Sequence, residues 1–156
     1  MNQTELKALG AAIMAALIFL TFWCVYLGAY PNLERLGDVQ TLLLAGLFYP
    51  VCEEIIFRGL IQQELLQRSR MMRKSIRLTL SNYLDLTQIT VANLTTSVIF
   101  AITHAIYFQS LTALIVGIPS LIFGRCFEIK HKLPLPILTH GLFNIIGLLA
   151  PSFYNT

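Results

Sequence analysis

The sequence predicts an all-α fold: a polytopic bundle of about five transmembrane helices that forms one domain over residues 1–156. Two features of the composition support this class. Of the 156 residues, 56% are hydrophobic and 12% are charged, whereas about a quarter of the residues in an ordinary soluble domain are charged. The mean hydropathy is +0.68. In addition, the apolar residues form separate runs, most of them close to the ~20 residues that a helix needs to span a bilayer.

The five apolar runs predict spans at about 9–30, 40–67, 91–108, 111–127 and 135–150. The first run follows the weakly basic start MNQTELK and is longer than the apolar region of a secretion signal, so we expect a retained first helix rather than a cleaved leader. The turn near Gln109 and Ser110 is very short, so the third and fourth spans should be antiparallel neighbours.

The basic residues indicate the orientation in the membrane. They cluster after the second and the fourth predicted span, as Arg68, Arg70, Arg73, Lys74, Arg77, Arg125, Lys130 and Lys132. Cytoplasmic loops of membrane proteins carry an excess of Lys and Arg. We therefore predict an integral membrane protein, in a bacterial inner membrane, with its N-terminus cytoplasmic and its C-terminus outside. No nucleic-acid partner is expected, because the basic stretch RSRMMRKSIR flanks a span and has no recognition fold around it.

Three charged residues interrupt the second apolar run, in the stretch YPVCEEIIFRGL. An ionisable residue at the bilayer centre costs about 3 kcal/mol on insertion scales, so such residues are functional by default. Glu54 and Arg58 lie four residues apart on one helix face and should pair, whereas Glu53 points about 100° away and has no such partner. Glu53 is thus the candidate base, and a purely structural ion-pair cluster is the alternative.

Pro50 lies in the middle of the same predicted helix, just before the two glutamates. A proline in a helix lacks the N–H that would bond the carbonyl four residues back. We therefore expect the Gly46 carbonyl to lose its donor and the backbone to open there, which would admit water.

Polar residues on two further spans have the same four-residue spacing. Phe100 and His104 share a face of the third span, and His140 and Asn144 share a face of the fifth. A rise of about 1.5 Å per residue places Glu53 and His104 at similar depth and His140 nearer the inner surface, so a tilt or a recessed helix end is needed to bring them together. Taken alone, the two histidines and the asparagine are more typical of hydrogen bonds between packed helices than of catalysis.

The three motifs E-E-x-x-x-R, F-x-x-x-H and H-x-x-x-N, in this order on successive predicted helices, resemble the CPBP family of intramembrane proteases. This family, the CAAX protease and bacteriocin-processing or Abi family, includes the type II CAAX prenyl endopeptidases, and the chain resembles a short bacterial-type member. The resemblance implies that Glu53 and His104 activate a water molecule. It also implies that His140 and Asn144 stabilise the oxyanion, with Glu54 and Arg58 in support.

The same resemblance implies a membrane-anchored protein or peptide as substrate, cut near its C-terminal tail. We expect a glutamic-type enzyme without a cofactor, because the sequence has no H-E-x-x-H pair; a zinc ion would have to use His104, His140 and one carboxylate. The alternative function is a non-catalytic membrane subunit of the same family that confers immunity or binds a peptide. A transporter is a poorer match, because no inverted repeat is visible.

Overall fold

The structure, a computed structural model, describes residues 3–27, 33, 37–68, 70–77 and 88–149. Within these ranges the chain forms five helices: α1 (Gln3–Leu27), α2 (Val39–Arg68), α3 (Val91–Tyr107), α4 (Leu111–Lys130) and α5 (Pro134–Leu148). The all-α class is therefore confirmed. Each helix coincides with one predicted span, and the predicted span residues 28–30 and 150 lie outside the described residues.

Two of these helices, α2 and α4, are long and apolar enough to cross a membrane. The helices α3 and α5 are apolar but have 17 and 15 residues, fewer than the ~20 that a perpendicular span needs. The number of membrane crossings therefore stays a prediction.

Helix α2 is not a uniform α-helix. It contains two π-helical segments, Leu44–Phe48 and Ile55–Gln62, which the sequence analysis did not predict. In the first segment the N–H of Tyr49 donates to the carbonyl of Leu44, five residues back. In this register Pro50 lies five residues after Ala45 and supplies no N–H to its carbonyl, while the expectation for the Gly46 carbonyl stays a prediction. The side chain of Asn144 supplies the bond: its Nδ2 donates to Ala45 O at 2.9 Å.

A short two-stranded ribbon, which the sequence analysis did not predict, connects α2 to α3. Strand β1 (Ser75–Arg77) pairs antiparallel with β2 (Gln88–Thr90). Thr90 then caps α3, because its hydroxyl accepts a hydrogen bond from the backbone N–H of Asn93 at 3.0 Å. The ribbon thus fixes where α3 begins.

Contacts between helix ends show which termini lie together. Lys130 at the end of α4 forms an ion pair of 2.6 Å with Glu5 at the start of α1. Glu128, also near the end of α4, accepts a hydrogen bond from Thr90, at the start of α3. The start of α1, the start of α3 and the end of α4 therefore lie beside the ribbon, at what we call the ribbon end of the bundle.

Helices α3 and α4 pack side by side in opposite directions, as predicted from the short turn between them. Gly117, near the start of α4, lies against Ala101 in the second half of α3. Gly124, further along α4, lies against Asn93 at the start of α3. The contact is so close that a Cβ atom at Gly124 would not fit. The Asn93 side chain also donates to the carbonyl of Leu121 at 2.9 Å.

The described part of the bundle is polar inside and apolar outside. Several of its largest fully buried side chains are polar, namely Arg58, Gln62, Glu54 and Asn93. Large apolar side chains are exposed instead, including Leu60, Ile106, Leu111 and Ile118. A soluble protein rarely exposes so much apolar surface, whereas a bilayer solvates it and forces polar groups to the interior.

Candidate active site

The Glu53 carboxylate lies where helices α2, α3 and α5 meet. Its Oε2 atom is 3.8 Å from Nε2 of His104 and 3.6 Å from Nε2 of His140. This oxygen is buried and has no hydrogen-bond partner within the described parts of the chain. A buried polar atom without a partner is costly unless water or a ligand satisfies it. The structure therefore brings together one carboxylate oxygen and two imidazole nitrogens from three helices.

The His104 ring is held by its own helix. Its Nδ1 lies 2.9 Å from the backbone carbonyl of Phe100, one turn earlier. A carbonyl oxygen only accepts, so Nδ1 carries the proton of this bond, which leaves Nε2 facing Glu53. The Phe100 ring packs on the imidazole with centroids 4.2 Å apart, and this contact explains why the two residues are spaced by four.

The His140 ring is held by a carboxylate. Its Nδ1 lies 2.8 Å from Oε1 of Glu54, and only 5% of its side chain is exposed. By the same argument Nδ1–H donates to Glu54 and Nε2 faces Glu53. Phe123 of α4 stacks on the imidazole, with centroids 4.5 Å apart and planes 14° apart. His140 thus reaches both glutamates.

Glu54 and Arg58 form the pair that their spacing predicts. Nε of Arg58 donates to Oε2 of Glu54 at 3.2 Å, and both side chains are fully buried. The same guanidinium donates through Nη2 to the backbone and hydroxyl oxygens of Ser120, at 2.8 and 2.6 Å. It also donates through Nη1 to Oε1 of Gln62 at 3.1 Å. A buried charge pair is tolerated when its remaining donors are satisfied in this way.

Asn144 is placed differently from the two histidines. Its amide donates to Ala45 O and so ties α5 to the first π-helical segment of α2. The amide nitrogen carries a second N–H, which this bond does not use. In the structure Asn144 forms a hydrogen bond between packed helices, which was the alternative interpretation of its motif.

Sequence reasoning missed three residues around this site: Ser120, Phe123 and Glu128. Both Ser120 and Phe123 lie on α4, a helix for which no motif was noted. Ser120 accepts a hydrogen bond from Arg58, and Phe123 stacks on His140. A serine and a phenylalanine in an apolar run give no signal of their own. Glu128 gave one, because an acidic residue near the end of an apolar span is unusual.

No group of three or more His, Cys, Asp or Glu side chains in the described ranges is arranged to hold a metal ion. The candidate ligands would be His104, His140 and Glu53. The Nε2 atoms of the two histidines lie 3.8 and 3.6 Å from Oε2 of Glu53. A zinc ion would also need each ligand atom at about 2.0–2.2 Å.

Comparison with known protein families gives a match, and it includes these residues. The family described as type II CAAX prenyl endopeptidase Rce1-like matches residues 35–146. This range contains every residue of the predicted site, from Glu53 to Asn144. No curated protein and no solved structure matches the chain significantly. The match covers most of the chain, which therefore belongs to the Rce1-like family of type II CAAX prenyl endopeptidases and is an integral membrane protein of a protease family.

Proposed function

We propose that this chain is an intramembrane endopeptidase that hydrolyses a peptide bond in a membrane-associated protein, by a water molecule that Glu53 and His104 activate. The observation that carries the proposal is the convergence of two imidazole Nε2 atoms on one unpartnered oxygen of Glu53. Separations of 3.6 and 3.8 Å are too long for direct hydrogen bonds. A water molecule between them would donate to Oε2 of Glu53 and to Nε2 of His104.

In the proposed reaction this water attacks the carbonyl carbon of the scissile bond. Glu53 accepts the proton that the water loses, while His104 orients the water through Nε2. The new C–O bond leaves a tetrahedral intermediate with a negative oxygen. When the C–N bond breaks, the proton held by Glu53 passes to the leaving amine, so that the carboxylate is restored.

His140 and Asn144 are proposed to stabilise the negative oxygen. Glu54 holds Nδ1–H of His140, and a carboxylate in this position stabilises the protonated imidazole and fixes its orientation. A protonated His140 donates through Nε2, on the side that faces Glu53. Asn144 would donate through its second N–H. Donors fixed in advance at a developing oxyanion are often the largest contribution to catalysis.

The proposal is of a glutamic-type mechanism without a metal ion. Its support is that Glu53 Oε2 and the two Nε2 atoms form a set that can activate a water molecule. A zinc-dependent reaction would use the same three residues. Sensitivity to a chelator therefore separates the two mechanisms.

We also propose that the ribbon end faces the cytoplasm. The first basic cluster lies at and after the end of α2, next to β1, and Lys130 ends α4 at the same side, beside Glu5 of α1. The positive-inside bias assigns this end to the cytoplasm. The N-terminal end of α1 is then cytoplasmic and the C-terminal end of α5 faces outward; a bacterial inner membrane stays a prediction.

The decisive experiment compares purified wild type with Glu53→Gln and His104→Ala in detergent, on prenylated and unprenylated C-terminal tail peptides, with and without a chelator. We expect cleavage by wild type in the presence of the chelator and none by either variant. The matched control is Glu64→Gln, which removes a charge from the same helix at an exposed position, and it should cleave like wild type. A peptide bound but left intact by every protein would favour the non-catalytic subunit instead.

A further inference from the structure

We propose that Glu128 is a positioning residue, which orients the His140 ring through an unbroken series of buried hydrogen bonds. The members between them, in order from Glu128, are Gln62, Arg58 and Glu54. We call these five residues the polar relay. It extends from the candidate active site to the ribbon end of the bundle. Its effect on cleavage rests on the function proposed above, but its effect on the His140 ring does not.

The relay begins with the Glu128 carboxylate on α4. Its Oε1 accepts hydrogen bonds from Nε2 of Gln62 at 2.9 Å and from the Thr90 hydroxyl at 2.5 Å. Its other oxygen lies 3.6 Å from Nη1 of Arg125, and only 4% of the Glu128 side chain is exposed. A buried carboxylate within an apolar span is costly. Its contacts indicate that this one is retained to hold Gln62.

Glu128 is one of three groups that fix which way the Gln62 amide points. The amide nitrogen donates to Glu128 Oε1 and to the carbonyl of Gly124, at 2.9 and 3.2 Å. An ionised carboxylate only accepts, so the nitrogen must face Glu128 and the amide oxygen must face Arg58. The opposite orientation would place two donors, the amide and the guanidinium, against each other. Arg58 and the Gly124 carbonyl favour the same orientation, so loss of the Glu128 charge removes one of the three contacts that hold the amide.

The amide oxygen of Gln62 in turn fixes one edge of the Arg58 guanidinium. Gln62 accepts from Nη1 and the Ser120 oxygens accept from Nη2, so Nε is directed at Oε2 of Glu54. The guanidinium is planar and rigid, so a rotation at one edge moves all its donors. Glu54 then uses its second oxygen to hold the His140 ring. Every link from Gln62 to Glu54 is fully buried, so water cannot replace a lost partner.

If Glu128 only stabilised the fold, its loss would affect the whole bundle. If it acts through the polar relay, its loss affects one histidine, His140. His104 provides the internal control, because its Nδ1–H binds the backbone carbonyl of Phe100, which is not part of the relay. Both histidines face the same Glu53 oxygen. A general loosening of the site would disturb both rings, and a loss of the relay would disturb His140 alone.

The test uses nuclear magnetic resonance of the full chain in detergent micelles, with isotope-labelled histidine. The protein has three histidines, so single replacements assign the Nδ1–H signals. We expect the His140 signal to shift or broaden in Glu128→Gln and in Gln62→Met, and the His104 signal to stay in place. Glu64→Gln is the charge-matched control and should leave both signals unchanged.

An unchanged His140 signal in both relay variants would overturn the proposal, and so would equal changes in both histidines. If Glu128→Gln does not fold, Gln62→Met decides, because it breaks the relay without removing a charge. If the wild-type chain cleaves no peptide but His140 responds as expected, the proposed function fails while the positioning of His140 by Glu128 stands.

Kinetics supply the second measurement. Each relay variant should lower kcat about 10- to 100-fold with KM unchanged, because a small misplacement of a catalytic group can cost as much as 100-fold and the relay does not line the substrate site. If Glu128 acts through Gln62, the double variant should be no slower than Gln62→Met alone. Multiplied effects would instead show that the two residues act independently and would contradict the relay.

Discussion

His140 binds the buried carboxylate of Glu54 through Nδ1, at 2.8 Å, and turns Nε2 toward Glu53. The two adjacent glutamates of α2 therefore have different partners. Glu54 is held by Arg58 and His140, whereas the facing oxygen of Glu53 is held by no described residue. We propose that Glu54 orients the site and that Glu53 meets water, a division that follows from the 100° turn between successive helical residues.

The first prediction concerns this orienting carboxylate. Glu54→Gln keeps the shape of the side chain but removes the charge that fixes the His140 ring. We expect kcat to fall by about 10- to 100-fold, as for other outer partners of a functional histidine. KM should change little, because the Glu54 side chain is fully buried and cannot contact substrate. Initial rates over a range of peptide concentrations measure both constants, and a raised KM with normal kcat would contradict this role.

The second prediction concerns the stability contributed by Arg58. Arg58→Met leaves Glu54 buried without its cation, and breaking a buried pair in this way costs about 3–5 kcal/mol. Thermal unfolding in detergent should therefore show a large loss of stability. Arg68→Met is the matched control, since Arg68 pairs with Glu64 on the exposed surface of the same helix and such pairs contribute about 0–1 kcal/mol. Equal losses of stability in the two variants would show that the buried Arg58 pair contributes no more than the exposed Arg68 pair.

The sequence predicted the helices and the Glu54–Arg58 pair because both depend on local periodicity. Apolar runs and a spacing of four residues are visible without knowing which helices touch. The π-helical register of α2 was not predictable from local spacing, and neither was the Asn144 side chain that binds Ala45 O from another helix.

The contribution of α4 to the site shows the same limit. Ser120, Phe123 and Glu128 carry no recognisable motif, and their importance comes from what they face on α2 and α5. A pattern in one segment predicts which face is polar but not which partner that face meets. The small ribbon was missed for a related reason, since its strands have three residues each, too few for an alternating pattern.

The third prediction separates two roles of Asn144. Asn144→Leu removes the donor to Ala45 O and leaves a partly buried carbonyl without this partner, which costs up to about 1–3 kcal/mol of stability. If Asn144 also stabilises the oxyanion, kcat should fall further, by about 100- to 1000-fold, as when one oxyanion donor is removed. Unfolding and kcat are measured on the same preparation. A loss of stability with normal kcat in the folded fraction would restrict Asn144 to a structural role.

The fourth prediction tests the close contact that brings α5 to α2. At Gly141 a Cβ atom would overlap the backbone carbonyl of Gly46, so Gly141→Ala must push the two helices apart. Overpacking of this kind costs about 1–3 kcal/mol. It should also lower kcat, because His140, the preceding residue, would move away from Glu54. The measurements are thermal unfolding and peptide cleavage.

Gly147→Ala is the control for this change on the same helix, because a Cβ atom at Gly147 would meet nothing within 4 Å in the described structure. Alanine also favours a helix over glycine by about 1 kcal/mol, so this variant should be as stable as wild type or slightly more stable, with normal cleavage. If Gly141→Ala behaved like Gly147→Ala, the backbone contact between α5 and α2 would not be what holds His140 beside the two glutamates.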